Sequence, residues 1–178
     1  MTAASGAARV YRAPMRSRRD DIDPGLAIQR ALDLGICGTG GVLPRVPRSL
    51  AEALKLTDAA YGTRTAARLE RFAAVEVGSL VWTRDTDGLY FVGRITGPWS
   101  YDGAPGALAA DLMHVRACRW RTTPVDEAVV PAATRQTFAR GGRNFQQTHD
   151  GEVGHASLLL WEGTQPAARP SSHRVRRR

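Results

Sequence analysis

The stretch VEVGSLVWTRDTDGLYFVGRITGPWSYD, residues 75–102, decides the fold. Two apolar runs, one through Leu80, Val81 and Trp82 and one through Tyr90, Phe91, Val92 and Ile95, flank the turn-forming Thr86, Asp87 and Gly88. β-branched and aromatic residues on both sides of a short Asp/Gly turn predict a β-hairpin. Downstream, residues 112–121 (LMHVRACRWR) alternate apolar and basic side chains, the pattern of a third strand in the same sheet. Met113, Val115, Ala117 and Arg119 share one face of it, while His114, Arg116, Cys118 and Trp120 share the other. Alternation alone leaves open which face is buried. Upstream, residues 9–13 (RVYRA) have the alternation of a short strand.

Helices fill the rest. Asp23 followed by Pro24 predicts a helix start, and the periodic LAIQRALDL runs until Gly35 stops it. A strand is expected from Ile36, then a turn, CGTGGVLP, whose glycines allow the backbone to pass close to a neighbour. Ser49 caps a predicted amphipathic helix over residues 47–61, Gly62 ends it, and residues 65–74 form the next, with Leu69 and Phe72 inward. Pro131 opens a helix-like VPAATRQTFA, a Gly/Arg hinge follows in ARGGRNFQQ, and residues 155–161 form a last apolar helix. Strands and helices in this order predict one α+β domain with a strongly curved, mixed sheet. Its expected limits are residues 9–165, between a disordered N-terminus over 1–8 and a flexible basic tail over 166–178.

The chain has 178 residues, of which 43% are apolar and 24% charged, proportions of a globular domain rather than a disordered chain. No apolar run approaches the ~18 residues of a membrane helix, so no membrane association is expected. Met1 to Arg9 lacks the basic start and apolar core of a secretory signal, so a cytoplasmic location is expected. The net charge is +8, and Lys55 is the only lysine among 25 basic residues. Arginine's planar fork pairs with phosphate and with the guanine edge, which suits a nucleic-acid partner, although a GC-rich genome also substitutes Arg for Lys. Removing the four arginines of HRVRRR, residues 173–178, leaves about +4 on the remainder.

Catalytic and metal motifs are missing from the sequence. There is no GxSxG, no phosphate-binding GxxxxGK[ST], no dinucleotide fingerprint and no HExxH. Cys37 and Cys118 lack CxxC spacing and read as buried free thiols in a reducing compartment. Asp20, Asp21 and Asp23 precede a helix whose N-terminus favours acidic residues, so they carry no metal assignment. No cofactor is expected. Four tryptophans remain, of which Trp120 and Trp161 read as core. Trp82 lies on the first hairpin strand, and Trp99 and Tyr101 lie in the Gly/Pro-rich GPWSYD after the second. Aromatic faces at a strand end can hold a planar base, each stacked base contributing about 1–3 kcal/mol. For Trp99 and Tyr101, core and site readings stand level.

Taken in order, R-x-Y, GICGTGG, GSLVWTRDTDGLYFVGRITGPWSYD, HVRACRW and VPAATRQTFARGGRNFQQ, the chain resembles the EVE-like branch of the PUA-like superfamily over residues 9–148. The likeness is strongest to modified-base-reading modules attached to modification-dependent restriction systems. It implies a barrel-like sheet of five or six strands with surrounding helices, and a nucleobase, flipped or single-stranded and methylated or otherwise modified, held in an aromatic pocket. It implies Trp82, Trp99 and Tyr101 as the cage, Ile36, Cys37, Gly38 and Thr39 of the glycine turn as its wall, and Arg140, Arg143 and Asn144 as phosphate contacts. Where relatives often carry Trp in that turn, this chain reads Cys37-Gly38-Thr39-Gly40.

The resulting expectation is a non-enzymatic nucleic-acid-binding module, for DNA in preference to RNA, working with a separately encoded nuclease. Two alternatives stay open: a nucleic-acid-processing enzyme subunit, and a protein-interaction or regulatory subunit with a basic tail.

Overall fold

A computed structural model describes residues 8–163; the N-terminal segment before Ala8 and the basic tail lie outside the described residues. The expected hairpin forms from β3 (Leu80–Arg84) and β4 (Tyr90–Tyr101), paired antiparallel with Trp82 opposite Val92. Asp85 closes the turn, its side chain accepting from the amides of Asp87 and Leu89. β5 (His114–Trp120) pairs with the other edge of β4, and β2 (Ile36–Thr39) with β5. β1 (Val10–Arg12) runs parallel to β3, and a two-residue β6 (Gln146–Gln147) closes that side.

The sheet is therefore mixed and six-stranded, in the order β2-β5-β4-β3-β1-β6. It is curved, but the resemblance's barrel does not close: β2 and β6 are edges and do not pair with each other. β4 also differs from expectation. Trp99 and Tyr101 belong to the strand and not to a loop, because pairing with β5 resumes at Trp99 opposite Arg116 after an irregularity between Ile95 and Trp99. Four steps along β4 there match two along β5, and such a bulge accommodates Pro98, which lacks a ladder donor.

Helices pack on both faces. On one lie α1 (Pro24–Leu34), α2 (Leu50–Tyr61), α3 (Thr63–Ala73) and the short α4 (Pro105–Ala110), covering a core that includes Ile28, Ala53, Leu69, Phe72, Val81, Ile95 and Cys118. On the other, α5 (Ala132–Ala139) and α6 (Val153–Trp161) cover Val10, Leu80, Trp82, Val92 and Leu160. The caps read from sequence are formed: Asp23 accepts from the Gly25 amide, and Ser49 from the Glu52 amide, while the Glu52 carboxylate accepts from the amide of Arg48, the residue before the cap. Gly35 ends α1 at φ 66.

Two buried guanidinium groups tie distant segments together. Arg116 lies on β5, 2% exposed, and donates to the carbonyls of Gly97, Phe72, Ala73 and Val75, three of them at the C-terminal end of α3. A cation at that end also meets the negative pole of the helix. Arg12 does the same for the hinge, donating to the carbonyls of Thr137, Gly141 and Asn144 and to the Gln146 side chain. Both cysteines are free and buried, and burial pushes the Cys37 thiol up to about 12 and raises that of Cys118 as well. Among the described residues no helix is long and apolar enough to cross a membrane.

Candidate functional site

A cavity of ≈200 Å³ opens between the end of β2, α2, α3 and the segments around Met15 and Phe145. Drug-sized ligands occupy pockets of ~300–1,000 Å³, so this one suits a smaller group.

One wall is the glycine turn. A side chain at Gly38 would place its Cβ 2.5 Å from the His114 carbonyl oxygen, and one at Gly40 would lie 2.5 Å from the Asp111 carboxylate. Only glycine lets β2 approach β5 and α4 this closely. Asp111, at the end of α4, then fixes the turn: one carboxylate oxygen accepts from the Gly41 amide at 3.1 Å and the other from the Ser17 hydroxyl at 2.5 Å. Two separate segments of the cavity wall are thereby joined through one buried carboxylate.

His114 backs the same turn. Its Nε2 lies 3.0 Å from the Gly41 carbonyl oxygen, which can only accept, so that nitrogen carries the proton. Nδ1 is then a bare acceptor, buried and with no partner among the described residues. Burial pulls the imidazole down to about 4, against the opposing influences of the Gly41 carbonyl and Asp111, so the ring is neutral at pH 7. Trp99 stacks on the ring at 6.0 Å and Tyr101 meets it edge-on at 5.2 Å. The Tyr101 hydroxyl accepts from the Leu43 amide, extending the brace to the far side of the turn.

Leu69 and Phe72 of α3, Thr57 and Tyr61 of α2, and Phe145 supply the remaining walls. Phe145 stacks on Tyr11 at 5.0 Å and meets Phe72 edge-on at 5.0 Å. The Thr57 hydroxyl is buried with no partner among the described residues, and Tyr61 donates to the Val42 carbonyl, linking α2 to the turn. Five arginines, Arg16, Arg18, Arg19, Arg68 and Arg143, line the cavity. Arg19 pairs with Asp21 and Arg143 reaches Asp20 at 3.5 Å, both exposed pairs that contribute little. Arg18 donates to the Asn144 side chain.

The expected cage residues do not converge. Trp82 is fully buried in the core on the other face of the sheet, its Nε1 donating to the Ser157 hydroxyl at 2.9 Å. Strand parity is the reason: Trp82 pairs with Val92, whereas Trp99 shares the face of Ile95. Trp99 and Tyr101 are on the cavity side but stand behind His114 and do not line the space. Of the turn, Gly38 and Thr39 line the cavity, but Cys37 is wholly buried and Ile36 instead gives its carbonyl to Trp120. Arg143 and Asn144 lie at the cavity, whereas exposed Arg140 does not. Asp20, Asp21 and Asp23 are taken up by Arg143, Arg19 and the α1 cap.

Sequence reasoning missed His114, Asp111, Tyr61, Phe145 and Arg68. A signal existed for Asp111 and His114 in the three glycines of the turn, which imply a facing group that tolerates no side chain.

No family model matches the chain, and no curated protein matches it. Among solved structures, protein Atu2648 from Agrobacterium tumefaciens is similar over 85% of this chain and 92% of its own, at 13% identity and a TM-score of 0.37, a likeness that carries no argument.

Proposed function

We propose that this domain binds nucleic acid, DNA in preference to RNA, and receives one nucleobase, flipped or taken from a single strand, in the cavity behind the glycine turn. The observation that carries the reading is the pairing of a small aromatic-walled cavity, formed by Phe72, Phe145 and Tyr61, with five arginines around it. A base needs planar apolar contact, and its phosphates need cations at the entrance.

Binding without chemistry fits the two titratable groups at the back wall. Asp111 is occupied by Ser17 and Gly41, and His114 commits its Nε2 proton to a backbone carbonyl and keeps only a buried Nδ1 whose basicity burial lowers, so both are weak bases toward a ligand. Selection of a modified base follows from the apolar lining of Met15, Leu69 and Phe72, where a buried methyl gains about 0.8 kcal/mol. That increment is small, so the rest of the discrimination falls to polar groups such as the unpartnered Thr57 hydroxyl. A reader of this kind requires a partner that acts, and a separately encoded nuclease is the class we assign. Two free, buried cysteines support a reducing, cytoplasmic setting.

The test is a fluorescence-anisotropy titration of duplex and single-stranded oligonucleotides carrying methylated adenine, modified cytosine or plain bases. Thr65→Trp, placing an indole on the cavity lining, should abolish preference among them while phosphate-driven affinity survives. Equal affinities for every base in the unaltered protein, or no binding at low salt, would overturn the reading.

A further inference from the structure

A second depression lies beside the cavity and shares four of its residues, Arg68, Phe72, Asn144 and Phe145. It is a larger, more open groove of ≈570 Å³ between α3 and the β1–β6 edge of the sheet, floored by Tyr11 and Phe145. Its cationic residues are Arg9, Arg68 and Arg71. Arg68 and Arg71 stand three residues apart on α3, so their side chains leave the same face of the helix. Among the described residues neither pairs with a carboxylate, and Arg9 reaches Glu76 only at 3.9 Å, an exposed pair of little strength. Gln146, Gln147 and Asn144 add neutral hydrogen-bonding groups opposite.

We infer that this groove is the track for the sugar-phosphate backbone of the strand whose base enters the cavity. The inference rests on the proposed function and deepens it by assigning the path of the strand. Arg68 stands at the junction, where a phosphate next to the inserted base would pass, and Arg9 and Arg71 hold phosphates further along. The shared Phe145 ring, packed on Tyr11, separates the base site from the backbone site. A single strand fits better than a duplex, because the groove continues directly from a cavity that only an unpaired base can enter.

The experiment compares the full chain with an Arg9→Gln/Arg71→Gln double variant and with Thr65→Trp. The probe is a fluorescein-labelled short single strand with one methylated base, alongside its plain counterpart. Each single-strand phosphate contact adds about 0.7 to the log–log salt slope, so the double variant should lose about 1.4 of it. It should also lose roughly tenfold in affinity at low salt, equally for both probes, leaving their ratio unchanged. Thr65→Trp should instead collapse the ratio and leave the slope alone.

An unchanged slope and affinity in the double variant, with its circular dichroism intact, would overturn the track while leaving the base reading in place. A ratio of one in the unaltered protein, together with the lost slope, would remove the base reading and leave the groove as a general single-strand site. Polyglutamate displacing the probe as well as an unlabelled oligonucleotide does would overturn the track in favour of an acidic protein partner.

Discussion

Acid should loosen this fold earlier than carboxylate titration alone would, and through a single residue. His114 is 2% exposed and held near 4, whereas an imidazole in the unfolded chain titrates at about 6.5. As the pH falls below 6.5 the unfolded chain takes up a proton that the folded chain refuses. Stability is therefore complete above pH 6.5 and declines down to about 4, amounting to about 3 kcal/mol by the time the folded imidazole titrates. The charged neighbour facing the ring is Asp111, which opposes the shift without cancelling it. His149 and His155 are exposed. Asp21, bonded to Arg19, and Glu52, bonded to the Arg48 amide and to Arg45, are both held low and lose their contribution only below the ordinary carboxylate range. The window between pH 6.5 and 4 thus belongs largely to His114. Urea denaturation followed by tryptophan fluorescence at stepped pH should show the midpoint falling across that window, with the His114→Gln variant nearly flat there. Parallel decline of the two proteins would refute the assignment.

Two further outcomes follow from buried groups. Arg116→Met should destabilise the domain by about 2–5 kcal/mol in urea denaturation, since it takes the side-chain donor from the buried carbonyls of Ala73 and Val75 at the end of α3 and of Gly97; Arg116→Lys should recover only part of this, because an ammonium cannot span four acceptors arranged for a fork. Trp82→Phe should cost about 1–3 kcal/mol by orphaning the Ser157 hydroxyl, yet leave oligonucleotide affinity and base preference unaltered, as a residue on the far face of the sheet should.

Local chemistry made the elements legible. The turn at Thr86, Asp87 and Gly88, the Asp23-Pro24 and Ser49 starts, and the Gly35 stop are each set by neighbours in sequence, and each occurs where the chain predicts it. Two short elements were not legible. α4 is only six residues long in the Gly- and Pro-rich GAPGAL and carries no helical periodicity to read, and β6 is only two residues long. The buried face of β5 could not be chosen because His114, Val115 and Arg116 are buried in succession, which removes the alternation at the start of the strand. The cavity was legible in the glycine turn that lines it, and not in its aromatic walls. Whether Trp82 and Trp99 share a face depends on the hairpin register and on where β4 departs from β5, both tertiary facts. A buried Arg116 runs against the ordinary exposure of charged residues, and only the carbonyls gathered from two distant segments explain it.

Those carbonyls also change what the chain's charge means. Arg12 and Arg116 are buried and committed to backbone oxygens, and Arg30 is paired with Asp102 across the α1–α4 corner. Their charges belong to the fold and offer little to a partner. Arg16, Arg18, Arg19, Arg68, Arg71 and Arg143 are exposed and lie about the cavity and its neighbouring groove. Because exposed charges farther apart than a Debye length, about 8 Å at physiological salt, act nearly independently, the net +8 is a poor guide to anion affinity. The local excess beside α3 is the relevant quantity, and it is reduced by Asp20, Asp21 and Glu76. A measured salt slope should therefore follow substitutions at Arg9, Arg68 and Arg71 and remain unaffected by neutralising Arg84, whose guanidinium lies over Tyr90 beside the hairpin turn. Equal losses from Arg84→Gln and Arg71→Gln would mean that anions respond to the charge of the whole surface, and the α3 edge would then hold no privileged place.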